Sequence, residues 1–317
     1  MKLSTVAFAS LALCAAVAMP SWAGPGFTIT PTFTSAITSD PNAAAIENTI
    51  NAAINVYETK FTNPVNINIT FDEMTTGLGQ SQWAYYQVPY STYYNALAAH
   101  ATSANDAIAL STLPAGAINP VSGTTTMYIK AANMIALGGL GFSGIDNVDN
   151  KVTLNTTITN PGSAGTTGQY SLLATTEHEI DEVLGLGSAL DLAKTDPEPL
   201  DLFRYSAPGV RSFTTSTSAT AFLSIDGGVT DLAQFNQTFS SADRGDWASN
   251  PLPSGTQPQV QDAFATPGVN PTLGPNEITA LDVIGYDTAT APEPGALAMM
   301  ALGIGFVPAM IRRRLRV

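Results

Sequence analysis

The sequence predicts an α+β fold from three observations. Residues 39–63 form the clearest amphipathic helix in the chain, with apolar side chains repeating on one face. The next segment, 65–71, alternates apolar and polar residues as a half-buried strand does. Beyond Gly187 the pattern becomes irregular, with short apolar runs divided by Gly, Pro and Asp. We therefore expect a helix-and-sheet lobe at about 27–187 and a smaller lobe at about 188–290.

The early elements follow from capping and periodicity. Residues 27–33 alternate weakly and are expected to form a first strand. Ser39-Asp40-Pro41 opens the first helix, because Pro is favoured at an early helical position. The face expected to be buried consists of Ile46, Ile50, Ala53, Ile54, Tyr57 and Phe61.

The later segments are less periodic, and their assignment depends on turn residues and short apolar runs. Residues 75–90 are rich in Gly and aromatic residues, which is typical of a loop. The other expected elements are a helix at 91–109, a strand that turns helical at 127–137, a short strand at 152–155, a third helix at 170–186 and a last helix at 277–284.

The N-terminal segment has the three-part pattern of a secretory signal peptide. Lys2 precedes an apolar run, and Ser21-Trp22-Ala23 supplies small residues where signal peptidase cuts. Residues 1–23 are therefore expected to be removed. The alternative is a buried helix or membrane anchor, but the run is short and ends at Gly24-Pro25-Gly26.

The C-terminal segment, residues 292–317, also has three parts. Pro292-Glu293-Pro294 precedes an uncharged run of 17 residues at 295–311, and the basic end 312–316 follows. The run would span about 25 Å as a transmembrane helix, with its arginines on the cytoplasmic side. These parts resemble the PEP-CTERM sorting signal, which implies a Gram-negative bacterium and an exosortase that releases the protein to the cell surface or matrix. A permanent tail anchor is the alternative.

Charge and cysteine content limit what the body between these ends, residues 24–291, can do. The chain has 12 basic and 25 acidic residues; Lys2, four arginines and Glu293 lie in the ends, which leaves 7 basic and 24 acidic residues. A net charge of −17 disfavours binding to nucleic acid and anionic membranes. The only cysteine, Cys14, leaves with the signal, so disulfides and thiolate chemistry are excluded.

The third helix carries the residues with metal-site spacing. His178 and Glu182 are four residues apart and share one helical face, so both can bind one metal ion. Glu179 is then placed to act on water as a general base. The pattern matches the H-E-x-x-H helix of metalloproteases with Glu in place of the second His, which would weaken the metal as a Lewis acid. The alternative is a solvated acidic helix face, since Glu177 and Asp181 add to the charge.

Residues 178–185 resemble the H-E-I-x-E-V-x-G helix of a group of exported bacterial predicted metalloproteases. The likeness continues at 201–209 (D-L-F-R-Y-S-A-P-G), 243–247 (D-R-G-D-W) and 281–286 (L-D-V-I-G-Y), and it covers most of 40–287. The order of helix, strand, edge strand and site helix also resembles zincins. The resemblance implies a zinc-dependent peptidase, with a substrate cleft between an N-terminal lobe and a smaller C-terminal lobe.

The chain departs from the metzincin pattern at the third metal ligand, where Ser188 stands in place of His. The only other histidine, His100, ends an alanine-rich helical face and is expected to be structural. Asp191 and Asp201 are the candidates for the third ligand, with Asp201 preferred, although a loop or cap role explains Asp201 equally well. Tyr205 could donate a hydrogen bond to a developing oxyanion.

Two further acidic segments could bind Ca²⁺ through hard oxygen ligands, namely Asp226-Gly227-Gly228 and Asp243–Asp246. Turn chemistry explains both segments equally well. The leading hypothesis is thus an exported zinc metallopeptidase that hydrolyses peptides or proteins through a metal-activated water. The alternative is a non-catalytic zincin-like surface or matrix protein that only binds its partner.

Overall fold

The computed structural model describes residues 26–145, 148–162, 167–192, 194–238 and 242–289. The expected signal peptide and sorting tail, including the apolar run 295–311, lie outside the described residues. Within the described ranges, no helix combines the length and the apolar character needed to cross a membrane.

The described chain is a mixed α+β structure, as predicted. The strands are β1 (Thr28–Phe33), β2 (Asn66–Glu73), β3 (Gly79–Gln82), β4 (Tyr85–Pro89), β5 (Thr126–Lys130), β6 (Asn150–Leu154), β7 (Thr159–Asn160), β8 (Tyr170–Ser171), β9 (Arg204–Ala207), β10 (Val210–Arg211), β11 (Phe222–Leu223) and β12 (Ala233–Gln234). The α-helices are α1 (Ser35–Thr38), α2 (Ala43–Lys60), α3 (Tyr90–Ala99), α4 (Ala104–Thr112), α5 (Ala131–Ala136), α6 (Leu172–Leu184) and α7 (Pro275–Val283). Short 3-10 helices lie at Gly138–Gly141 and Pro199–Phe203.

The main sheet has the strand order β1-β2-β6-β3. The first three strands run parallel, and β3 pairs antiparallel with β6 as an edge strand. Helices α2 and α6 pack on each other, while α2 also contacts β1 and α6 contacts β3 and β6. The sheet and these two helices form the main hydrophobic core, and they set α6 beside the antiparallel edge.

The predicted faces of α2 and β2 are confirmed. All six residues expected on the buried face, Ile46 to Phe61, are at most 4% exposed. Along β2, Ile67, Ile69 and Phe71 point into the core and alternate with more exposed polar residues. Apolar burial at these positions is the main stabilising contribution of both elements.

The C-terminal part forms a second, antiparallel sheet with the order β10-β9-β11-β12. Helix α7 returns to the first part and contacts α4 and α6. The Tyr286 hydroxyl donates to the Leu184 carbonyl at 2.7 Å, and Asn133 Nδ2 donates to the Ile284 carbonyl at 2.9 Å. The first bond joins the C-terminal end of α6 to the segment after α7, and the second joins α5 to the C-terminal end of α7.

Two of the expected elements are wrong. Residues 75–90 contain β3 and β4 rather than a continuous loop. The first of these strands is Gly-Gln-Ser-Gln, a polar edge strand without the apolar alternation that identifies strands in a sequence. The helix expected at 91–109 is two helices, because Ser103 caps α4: its Oγ accepts from Asp106 N while the Asp106 carboxylate accepts from Ser103 N.

The hydroxyl of Tyr57 joins α2 to α6, and its removal should destabilise the fold. Tyr57 Oη lies 2.6 Å from the Glu177 carbonyl oxygen and 2.8 Å from Asp181 Oδ1, with all three groups buried. Tyr57→Phe removes the hydroxyl that these two buried groups contact, and we expect the free energy of unfolding in urea to fall by about 1–3 kcal/mol. Tyr85→Phe, at a ring that is 38% exposed, is the control and should change it by less than about 0.5 kcal/mol. Equal effects of the two variants would contradict this role of Tyr57.

Candidate metal centre

Helix α6 buries acidic residues on two different faces. It begins at the N-cap Ser171, whose Oγ accepts from Ala174 N at 3.0 Å. Glu177, Glu179, Asp181 and Glu182 are all buried, so the alternative of a solvated acidic face is wrong. The helical spacing separates these carboxylates into a pair that faces the protein scaffold and a pair that lines a cavity.

The scaffold pair consists of Glu177 and Asp181. Glu177 accepts hydrogen bonds from Leu273 N at 2.7 Å and Thr272 Oγ1 at 3.1 Å. Burial raises the pKa of Glu177 to about 7 and, together with the charge of Glu277, raises that of Asp181 well above its usual range. The Asp181 carboxyl is therefore favoured in its neutral form, in which its proton can complete the contact with Tyr57.

Glu182, from the cavity pair, belongs to a convergent group of three side chains. The three side chains, His178, Glu182 and Asp246, each offer one ligand atom, and these three atoms lie within 4.8 Å of one another. His178 Nε2 is 3.7 Å from Glu182 Oε1 and 3.8 Å from Asp246 Oδ1. One imidazole nitrogen and two carboxylate oxygens can therefore reach a common metal ion.

Neighbouring groups orient each member of this trio. His178 Nδ1 lies 2.9 Å from the Val260 carbonyl oxygen, which can only accept, so Nδ1 carries the proton and Nε2 presents its lone pair in the neutral ring. Gln261 Nε2 donates to Asp246 Oδ1 at 2.8 Å, and Ser81 Oγ on β3 donates to Glu182 Oε2. Such supporting bonds are what a metal ligand requires in order to hold its position.

The electrostatics of the trio favour a cation. Burial acts against the charged form of His178, yet the charges of Asp246 and Glu182 raise its pKa well above the usual value. Burial also acts against the Glu182 carboxylate, but its bond to His178 lowers its pKa to about 2. For Asp246, burial dominates and raises the pKa well above its usual range. The two buried carboxylates are thus stabilised by a positive charge between them.

Glu179 lies one residue from the trio, with its carboxylate buried. Its Oε2 has no hydrogen-bond partner among the described residues, and burial raises the pKa of Glu179 well above its usual range. Gly79 on β3 lies so close that a β-carbon there would collide with the Glu179 carboxylate. Because Gly79 has no β-carbon, the edge strand β3 leaves room for the Glu179 side chain.

The trio and Glu179 open onto a cleft of about 670 Å³, which is within the usual size range of ligand sites. One wall is formed by residues 74–83 with β3, the floor by α6, and the opposite wall by residues 242–246 and 258–271. The trio therefore lies where the helix-and-sheet part meets the C-terminal part of the chain.

The structure does not bring Asp201, Asp191 or Tyr205 into this group, and Asp246 takes the position expected for Asp201. The Asp201 carboxylate accepts from Ser188 Oγ at 2.6 Å and from two backbone N–H groups, so it holds the turn after α6. Asp191 pairs with Arg244.

Tyr205 and His100 lie elsewhere as well. The Tyr205 ring lies in β9 with the Arg211 guanidinium 4.8 Å from its centroid, and the residue does not line the cleft. His100 follows the last residue of α3, where its backbone N–H closes the helix end. The structural role expected for His100 agrees with this position.

The segments considered for Ca²⁺ have different environments. Asp226 closes its own turn, because its carboxylate accepts from Ser224 Oγ, Val229 N and both donors of Thr230. Although partial burial acts in the opposite direction, these bonds lower its pKa to about 2. The segment Asp243–Asp246 instead supplies Asp246 to the trio. The sequence pattern indicates this segment as a possible Ca²⁺ site but not Asp246 as the partner of His178 and Glu182.

No protein-family model matches the chain, and comparison with curated proteins and with solved structures finds no match either.

Gly245 places Asp246, and a side chain there should disturb the site. A β-carbon on Gly245 would lie 2.5 Å from Gly187 Cα and 2.8 Å from Gly187 C, so the backbone of one loop would have to move. We expect Gly245→Ala to lower the free energy of unfolding by about 1–3 kcal/mol, measured by urea titration. The control is Gly26→Ala, where a β-carbon would meet no atom of the described residues within 4 Å apart from its chain neighbours. An unchanged stability of Gly245→Ala would contradict the close approach of these loops.

Proposed function

We propose that the protein is a zinc-dependent metallopeptidase with a zincin-like fold. The observation that carries this proposal is the convergence of His178, Glu182 and Asp246 in a cleft, beside the buried carboxylate of Glu179. Catalytic zinc sites in proteins combine three side-chain ligands with an open fourth position, and nitrogen and carboxylate ligands are both accepted. The donor set of this chain fits that requirement.

The roles of the residues follow from their positions. His178, Glu182 and Asp246 would hold zinc, which when bound makes water more acidic and polarises a peptide carbonyl. Glu179 takes a proton from the attacking water, whose oxygen adds to the carbonyl carbon. The same carboxyl then gives the proton to the amine nitrogen as the carbon–nitrogen bond breaks. Glu179 therefore ends in the protonation state in which it began.

The sheet supports a peptide as the substrate. Strand β3 is the antiparallel edge of the main sheet, and it lies against α6 and along the cleft. Among the described residues, no other strand pairs with the outer edge of β3, so an extended peptide can pair with it through main-chain hydrogen bonds. This arrangement, an antiparallel edge strand beside the metal-site helix, is also what supports the zincin-like assignment.

We further propose that the protein is exported and then released at the cell surface. The sequence patterns at the two ends support this proposal, with signal peptidase and an exosortase as the processing partners. Cell fractionation and mass determination of the secreted form test it, because removal of residues 1–23 and of the basic tail gives a defined loss of mass. An intact chain in the cytoplasm would contradict it.

Asp246, and not Asp201, should determine zinc binding. Asp246→Asn replaces one of three ligands, and we expect zinc affinity to fall by about 100-fold or more, with loss of the rise in melting temperature on zinc addition. The matched variant Asp201→Asn should keep zinc, although it should melt earlier because the carboxylate holds a turn. Elemental analysis and thermal melting measure both effects. Loss of zinc in Asp201→Asn alone would refute the trio as the metal site.

Glu179 should be needed for hydrolysis but not for metal binding. We expect Glu179→Gln to lower kcat/KM on a peptide substrate by about 10²–10⁴-fold while zinc content stays near one per chain. Glu47→Gln, on the partly exposed surface of α2, is the control and should keep full activity. A zinc-loaded wild-type protein that binds peptides without cleaving them would instead support the non-catalytic binding protein.

A further inference from the structure

The cleft holds more negative charge than a metal ion and a general base require. Its lining includes five carboxylates, and His178 is the only basic residue among the described residues that line it. A dication held by the trio compensates the charges of two carboxylates. Three acidic side chains then remain without a counterion in the cleft, namely Glu179, Asp243 and Asp262.

Asp262 is a buried carboxylate with unused bonding capacity. It is 5% exposed, and its Oδ2 accepts from Gln259 N at 2.9 Å. Its Oδ1 has no partner within the described part of the chain. A buried carboxylate that lacks a partner is unfavourable, so a positively charged ligand group would be stabilised there. Burial raises the pKa of Asp262 to about 7, as expected for a carboxylate that lacks a counterion.

Asp243 adds a second negative group on the same wall. Its side chain is exposed, lines the cleft and lies near the Glu182 carboxylate. The small residues Ala242, Ala263 and Ala265 line the cleft nearby and leave room for the aliphatic stem of a long side chain.

The protein's own cations beside the cleft are engaged elsewhere. Lys130 Nζ donates to the Glu182 carbonyl at 2.7 Å and lies 3.6 Å from the centroid of the Trp83 ring. The Arg244 guanidinium pairs with Asp191 at 3.3 Å. Asp262 Oδ1 has no hydrogen-bond partner among the described residues, so a counterion for it has to come with the ligand.

We propose that the cleft selects substrates with a positive charge beside the scissile bond, recognised by Asp243 and Asp262. The charge is either a Lys or Arg side chain or the free α-ammonium of the peptide, since both offer the same chemistry. This inference rests on the proposed peptidase function and names the substrate class of that site.

The test uses matched fluorogenic peptides that differ at one position next to the cleaved bond. Lys, norleucine and Glu are compared at that position, each in a peptide with a free and an acetylated N-terminus. We expect kcat/KM to be about tenfold higher for Lys than for norleucine, and lowest for Glu. The preference should weaken as salt rises from about 20 mM to about 500 mM. A preference for the free N-terminus instead assigns the α-ammonium as the recognised group.

The variants Asp243→Asn and Asp262→Asn should each reduce the Lys-to-norleucine ratio, and the double variant should bring it near one. Asp231→Asn removes an exposed acid away from the cleft and should leave the ratio unchanged. Efficient cleavage with no preference for a cation overturns this inference and leaves the peptidase function intact.

If none of the peptides is cleaved, the proposed function is refuted. The inference about cation recognition is then tested by peptide binding. Fluorescence anisotropy with a labelled lysine peptide and its norleucine counterpart measures the affinity of the protein for each peptide. Binding of the lysine peptide about tenfold tighter, lost in the double variant, supports cation recognition. Equal binding of the two peptides overturns it.

Discussion

The burial of carboxylates on helix α6 is the constraint on which the fold and the site depend. Four acidic residues within six positions are removed from water, which is unfavourable unless each finds a partner. On one face the partners come from the scaffold: Tyr57 for Asp181, and the segment before α7 for Glu177. On the other face Glu179 and Glu182 border the cleft, where under the proposed function a bound metal ion would balance their charge. Helix α6 therefore connects the hydrophobic core to the candidate site.

The sequence is informative where a residue's environment depends on near neighbours. The buried face of α2 and the alternation of β2 follow from periodicity over a few residues, and both are confirmed. Strand β3 could not be found in this way, because its pairing with β6 relies on main-chain bonds about 70 positions apart and its side chains are polar. The break before α4 could have been found, since Ser103 and Asp106 have the spacing of a capping box.

The candidate site also has a part that follows from nearby residues in the sequence and a part that does not. His178, Glu179 and Glu182 lie within one helical turn or so, and their spacing alone placed them together. The third carboxylate belongs to a loop far along the chain, and tertiary contacts such as the close approach of Gly245 to Gly187 bring Asp246 beside them. Asp201 is nearer in sequence, but its position beside the start of a 3-10 helix makes it a better partner for backbone N–H groups.

The bond that orients His178 has a consequence for how this protein can diversify. Its acceptor is a main-chain oxygen, that of Val260, and every amino acid supplies the same oxygen. Side chains along residues 258–271, which form one wall of the cleft, can therefore be exchanged without removing the support of the imidazole. Most of this wall can therefore change through mutation while the imidazole keeps its support, with the exception of Gln261, whose side chain holds Asp246. Under the proposed function, natural variants or a designed library can acquire new preferences at the other positions of the wall.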